Sequence, residues 1–170
     1  EQRVHPCFVK LKSDIAKVSN EINAVVVNDS VIGKNIFEGP GAGAGPTGAS
    51  VMSDLMDIIR GTYNFPLGVS IKKKKKLKIQ KIDNLSFPYY LRITAKDKAG
   101  VMAKISKALS KRNISIESII QKPSKRSNFA EIILITHTVK ESSLLSSIKQ
   151  IKRLPEVSSS VKFIRIEDSL

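Results

Sequence analysis

The sequence predicts an α+β protein in two pieces. Three observations carry this. Residues 87–168 read as strand, helix, strand, strand, helix, strand, with apolar residues switching between a period of two and a period of 3.6. Residues 1–61 read as a strand end, a hairpin, a glycine-rich loop and a helix. Between them, residues 62–86 hold turn-formers and then a block of lysines, the composition of a linker.

The C-terminal elements come first because they are the clearest. Tyr89, Leu91, Ile93 and Ala95 alternate with Tyr90, Arg92 and Thr94, the pattern of a half-buried strand. Asp97-Lys98-Ala99-Gly100 breaks that alternation, and Gly100 allows a tight turn with close approach of the backbone to a ligand. Val101, Met102, Ile105, Ala108 and Leu109 then form one apolar helical stripe, which Asn113 ends. Ile114 and Ile116 begin a second strand. Phe129 to Val139 is apolar on nearly both faces, which predicts an interior strand covered on its second side as well. Leu144, Leu145, Ile148 and Ile151 give a second helical stripe that stops at Leu154-Pro155, and Val161 to Ile166 is the last strand. The order βαββαβ is that of the ferredoxin-like split βαβ unit.

In the N-terminal piece, Val4 and Phe8-Val9 read as the end of a strand. Ile22 to Val27 is a strong strand, Asn28-Asp29-Ser30 is turn material, and Val31 to Phe37 pairs back as a hairpin. Glu38-Gly-Pro-Gly-Ala-Gly-Ala-Gly-Pro-Thr47 follows. Thr47 is placed to cap a helix whose stripe is Val51, Leu55, Ile58 and Ile59, and Gly61 stands where a C-terminal cap belongs.

The whole chain has 170 residues, enough for one ordinary domain or two small ones. Its 29 basic and 15 acidic residues give a net charge of +14, which raises nucleic acid or an anionic surface as a partner. Seven lysines fall within residues 72–81, including the run Lys72 to Lys76. With no interleaved aromatics, such a block supports salt-sensitive, non-specific contact at most. The single cysteine, Cys7, excludes an internal disulfide and a Cys-based metal site, fits a reducing cytoplasm, and reads as a small apolar filler. His5 and His137 lie far apart, without ligand partners at metal spacing. No apolar run reaches the roughly 18 residues of a transmembrane helix. The chain opens at Glu1 without a signal-peptide pattern, and reads as starting in the middle of a longer protein.

Two resemblances follow from these motifs. Residues 90–121, with Arg92-x4-Asp97-x2-Gly100-Val101 and Asn113-Ile-Ser-Ile-Glu-Ser-Ile119, resemble an ACT domain, an amino-acid-sensing module. The resemblance implies an effector at the turn after the first strand, held by Asp97, Ala99, Gly100 and Val101 and facing Ile114 to Ile116 of a neighbouring copy. Exposed amides at a glycine turn leading into a helix attract a carboxylate, which gives that location a physical reason. Arg3-Val-His-Pro6, Asn23-Ala-Val-Val-Val27 and Gly39-x-Gly41-Ala42-Gly43-x2-Pro46-Thr47-x2-Ser50-Val51-x2-Asp54 resemble the closing part of the homoserine dehydrogenase catalytic domain. That family interconverts L-aspartate 4-semialdehyde and L-homoserine with NAD or NADP, and many bacterial members end in an ACT domain. The resemblance implies cofactor contacts at Gly41, Gly43 and Thr47, L-threonine as the effector, and homo-oligomers formed through the ACT and catalytic-domain strands. The family's nucleotide-binding domain, catalytic lysines and substrate-holding acids have no counterpart in these 170 residues, so no catalytic residue is assigned and no turnover is expected of this piece alone.

Rival readings remain. The glycine loop invites a dinucleotide fingerprint, but from Gly39 the sixth position is Ala44 and from Gly41 it is Pro46, and no second parallel strand follows the helix. It also reads as a bare hinge. A βαββαβ unit can recognise RNA by stacking bases on its central strands. Here the third strand carries Ile and Leu instead of the aromatic pattern, leaving only Tyr90 and Phe129. A stand-alone ACT module acting on a partner enzyme is the second functional reading, although such a sensor has no need of Gly39 to Asp54.

Overall fold

The computed structural model describes residues 1–62, 77–124 and 128–168. The expected turn-formers Tyr63 to Gly68 and the lysine run Lys72 to Lys76 lie outside the described residues. The chain divides into two compact units, one of Glu1–Val9 with Ile79–Ser169, the other of Lys10–Lys78 with Leu170.

The larger unit holds a five-stranded sheet. Its strands are β1 (Cys7–Val9), β5 (Tyr89–Lys96), β6 (Ile116–Pro123), β7 (Phe129–Thr136) and β9 (Val157–Glu167), ordered β1-β9-β5-β7-β6. Helices α2 (Val101–Ser110) and α3 (Glu141–Ile151) complete it. Leaving β1 aside, β9-β5-β7-β6 places the four strands of the βαββαβ unit in the order four, one, three, two, all antiparallel. This is the ferredoxin-like arrangement that the sequence predicts. Alternation decides which face is buried. Tyr89, Leu91, Ile93 and Ala95 of β5, with Ala130, Ile132 and Leu134 of β7, point into one core. The helices close it with Val101, Ile105, Ala108 and Leu109 from α2 and Leu144, Ile148 and Ile151 from α3. Buried polar atoms are paired inside this core. The Ser147 hydroxyl donates to the Ala108 carbonyl at 3.2 Å, and the Tyr89 amide donates to Thr136 Oγ1 at 3.1 Å.

Several expectations are corrected. Leu145 is exposed, because α3 offers the core only a narrow stripe. The outer faces of Ile133 and Ile135 are only half-buried, so the second side of β7 is less covered than its composition suggests. That strand ends at Thr136. Val139–Lys140 forms a separate short strand, β8, paired with β4 (Ser86–Phe87), so the end of the expected linker is built into the unit. The second strand starts at Ile116 with an irregular register before Ser118, and Ile114 sits buried ahead of it. The last strand begins four residues early, at Val157, because its ladder with β5 extends past Val161 to Ala95. The segment around Phe8 does not stay with the hairpin. It pairs in parallel with β9, whose outer edge is otherwise open. Cys7, expected as an apolar filler, is exposed on that strand.

The smaller unit contains the antiparallel hairpin of β2 (Ile22–Asp29) and β3 (Gly33–Pro40), in register from Ile22↔Pro40 to Asp29↔Gly33. Val31 and Ile32 belong to the turn instead of the strand. The Asp29 carboxylate accepts from their amides at 2.7 and 3.2 Å, which closes the turn locally and holds that carboxyl below its ordinary range. Helix α1 spans Ala44–Ile59. Its end is legible in the sequence. Gly61 has φ +68°, its amide reaches the Ile58 carbonyl, and the Thr62 amide reaches Asp57, each at 3.0 Å. That double closure is a Schellman cap. Its start is not where Thr47 suggested. Gly43, at φ 117°, is the capping residue, and Thr47 lies one turn inside, its amide bonded to the Gly43 carbonyl. Pro46 fits the first turn because the amide it lacks has no helical partner there. The stripe Val51, Leu55, Ile58 and Ile59 is exposed.

Candidate functional site

The turn after β5 is built by backbone bonds to its neighbours. The Lys96 amide donates to Glu156 at 2.8 Å, the Asp97 amide to Asn128 at 3.0 Å, and the Lys98 amide back to Lys96. Gly100 then adopts φ +86°, a left-handed conformation that costs a side-chain-bearing residue about 1 kcal/mol or more. It starts α2 directly. Lys104, one turn along α2, pairs with Glu156 and holds that carboxyl below the usual carboxylate range.

These elements enclose a cavity of about 260 Å³, lined by Asp97, Ala99, Gly100 and Val101 together with Lys96, Lys98, Met102, Gln121 and Ile132. Four of the five expected effector residues are thus gathered in one place. Ile116, the fifth, is at the opposite end of β6 and does not line it. The β6 residue that does is Gln121, whose side-chain amide donates to Asp97 Oδ1 at 3.1 Å. Sequence reasoning missed Gln121. It is 24 residues from Asp97, and only the β6-β7-β5 pairing brings the two together. The cavity is bordered by groups of both charges. The Asp97 carboxylate, Lys96, Lys98 and the positive N-terminal end of a ten-residue helix all border it.

The glycine loop forms a second, smaller cavity of about 230 Å³, lined by Pro40, Gly41, Ala42, Pro46, Thr47 and Ser50. Gly41 and Thr47 reach it. Gly43 shapes it from the helix cap without lining it. Gly41 is required sterically, since a Cβ there would fall 1.9 Å from Asn23 Nδ2. Its amide donates to the Glu21 carbonyl at 2.8 Å, tying the loop to the start of the hairpin.

Among the described residues, no group of three His, Cys, Asp or Glu side chains could hold a metal ion, and no helix is long and apolar enough to cross a membrane. Tyr90, one of the two aromatics that base stacking would need, is engaged edge-on by Phe8, with ring centroids 5.1 Å apart.

The fold and the Asp97 turn define the class. Residues 89–156 match the family model of the ACT domain. Residues 1–56 match that of homoserine dehydrogenase. Relatives agree with both assignments. The chain is 34% identical over 168 residues to homoserine dehydrogenase of Helicobacter pylori, covering 99% of this chain and 39% of that protein. It is 37% identical over 174 residues to that of Pseudomonas aeruginosa, covering 98% and 40%. The crystal structure of a homoserine dehydrogenase from Thiobacillus denitrificans superposes with a TM-score of 0.84 at 31% identity, over 98% of this chain and 38% of that one. Over nearly its whole length the chain is therefore similar to the C-terminal part of homoserine dehydrogenases, a part that includes an ACT domain. It spans about two-fifths of the length of the curated relatives it matches.

Proposed function

We propose that this chain is the regulatory C-terminal part of an NAD(P)-dependent homoserine dehydrogenase, and that its ACT domain binds L-threonine in the Asp97 cavity. The observation that carries the reading is a carboxylate, Asp97, and a glycine-led helix N-terminus that border the same small cavity. A free amino acid carries both complementary charges. Its carboxylate takes the backbone amides around Gly100, and its ammonium takes Asp97. Gln121 already donates to Asp97 and orients that carboxylate. The modest volume suits a small side chain. Ile116 does not belong to this pocket within one copy, and its role is contact with the effector held by a second copy in a homo-oligomer. The catalytic chemistry, hydride transfer between the cofactor and L-homoserine, belongs to parts of the enzyme outside this chain. Gly41, Gly43 and Thr47 contribute one wall of the cofactor site, where glycines let backbone approach the dinucleotide. A threonine biosynthetic enzyme with these features works in the cytoplasm.

Calorimetric titration of the 170-residue chain tests the effector site. L-threonine is expected to saturate at millimolar concentration or below. Asp97→Asn, which removes the charge and keeps the shape, is expected to weaken binding at least tenfold, about 1.4 kcal/mol. No saturable heat with the unaltered chain overturns the reading.

A further inference from the structure

The first nine residues fall within the homoserine dehydrogenase match, yet they lie in the ACT unit. Cys7, Phe8 and Val9 pair in parallel with Arg165, Ile166 and Glu167 as a fifth strand of the regulatory sheet. Side chains reinforce the ladder. Arg3 Nη2 meets Glu141 Oε2 at 2.9 Å, and the same oxygen accepts from the Tyr89 hydroxyl at 3.1 Å. Arg165, on β9, reaches Glu1 at 3.1 Å and Glu167 at 2.6 Å, and its guanidinium lies 3.4 Å above the Phe87 ring. Phe8 packs on Tyr90. The Arg3, Glu141 and Arg165 side chains are only 16%, 9% and 11% exposed. Ion pairs this sheltered hold geometry far better than surface pairs, and removing one partner leaves the other sheltered with one partner fewer.

Two further facts give the cluster a direction. Tyr89 opens β5, the strand that ends at the Asp97 turn. Val9 runs straight into Lys10, the first residue of the other unit. One strand thus has the candidate effector site at its end and the clamp at its start.

We propose that Arg3, Glu141 and Arg165 are positioning residues of a clamp through which the state of the ACT domain is passed to the catalytic segment. Effector binding tightens β5, and the clamp carries that change to β1 and so to the chain that continues as Lys10. The proposal rests on the effector reading above, and its test separates the two.

The experiment is hydrogen exchange on the 170-residue chain with and without L-threonine, for the unaltered chain, Glu141→Gln and Arg3→Met. Threonine is expected to protect residues 97–101 in all three. In the unaltered chain it is also expected to slow exchange at Cys7–Val9 about tenfold, within the 5–150-fold range of ordinary coupling. Both variants are expected to lose that second effect while keeping the first. Arg3→Met alters only the N-terminal arm and leaves the core residues in place, so it decides the matter if Glu141→Gln folds poorly. Protection at 97–101 with no response at 7–9 in the unaltered chain, or a response that survives in the variants, overturns the clamp and leaves the effector site standing. No protection at 97–101 in the unaltered chain overturns the effector site. Without an effector the clamp has no state to pass on, and it falls with that site.

Discussion

At the scale of single residues, Tyr89 concentrates the chain's electrostatics. Its ring is fully buried, and its hydroxyl donates to a carboxylate. Burial first, then the nearby Glu141 charge, push the phenol above its ordinary value of about 10. A raised value means that the folded state holds the proton more tightly than the unfolded one. This contribution is therefore complete below about pH 10 and is lost as the pH rises further. Urea unfolding at pH 8 and pH 11 is expected to show a larger loss for the unaltered chain than for Tyr89→Phe, since the lysines titrate equally in both. Equal losses would show that the tyrosine contributes nothing. The alternation placed Tyr89 inward from sequence alone. Its partner Glu141, and the Arg3 that pairs with Glu141, were not foreseen, because they lie 52 and 86 positions away and no local pattern links them.

At the scale of elements, α2 shows how completely periodicity can specify burial. Val101, Ile105, Ala108 and Leu109 are all inside, and Met102 at the stripe's edge is half-buried. Ile105→Ala is expected to destabilise the unit by about 2–5 kcal/mol, the usual cost of such a cavity, as read from chemical denaturation. A loss under about 1 kcal/mol would mean that the core collapses around the gap. Helix α1 teaches the opposite lesson. Its stripe is as regular, yet it is exposed, because an apolar face states that something covers it and not what. Its C-terminal cap was legible because Gly61 adopts a backbone conformation that few residues tolerate. Its N-terminus was misplaced because Gly43, which caps without a side chain, took the position that the Thr47 hydroxyl seemed to fill.

At the scale of the whole chain, two matched families meet within 170 residues. On the function proposed above, the purified chain is expected to show no NADP-dependent oxidation of L-homoserine. Spectrophotometric turnover above a blank would place catalytic groups within these residues and overturn that division of labour. The domain boundaries expected from composition put residues 1–61 in one body, whereas Glu1–Val9 packs with the ACT unit. Composition changes at the lysine block, so a boundary was visible there. The return of a short strand to a distant sheet edge leaves no compositional trace.

The sequence by itself determined the α+β class, the βαββαβ order, the inward faces of β5 and of α2, the Asp97-Gly100 turn and the cap at Gly61. All of these follow from local periodicity or from the backbone freedom of particular residues, which operate over a few positions. Only the tertiary structure decided that β1 pairs with β9, that Gln121 meets Asp97, and that Arg3 and Arg165 converge on the start of β5. Those depend on strand pairing across many residues. The free edge of β9 and the sheltered carboxylate of Glu141 selected partners that no spacing rule could name.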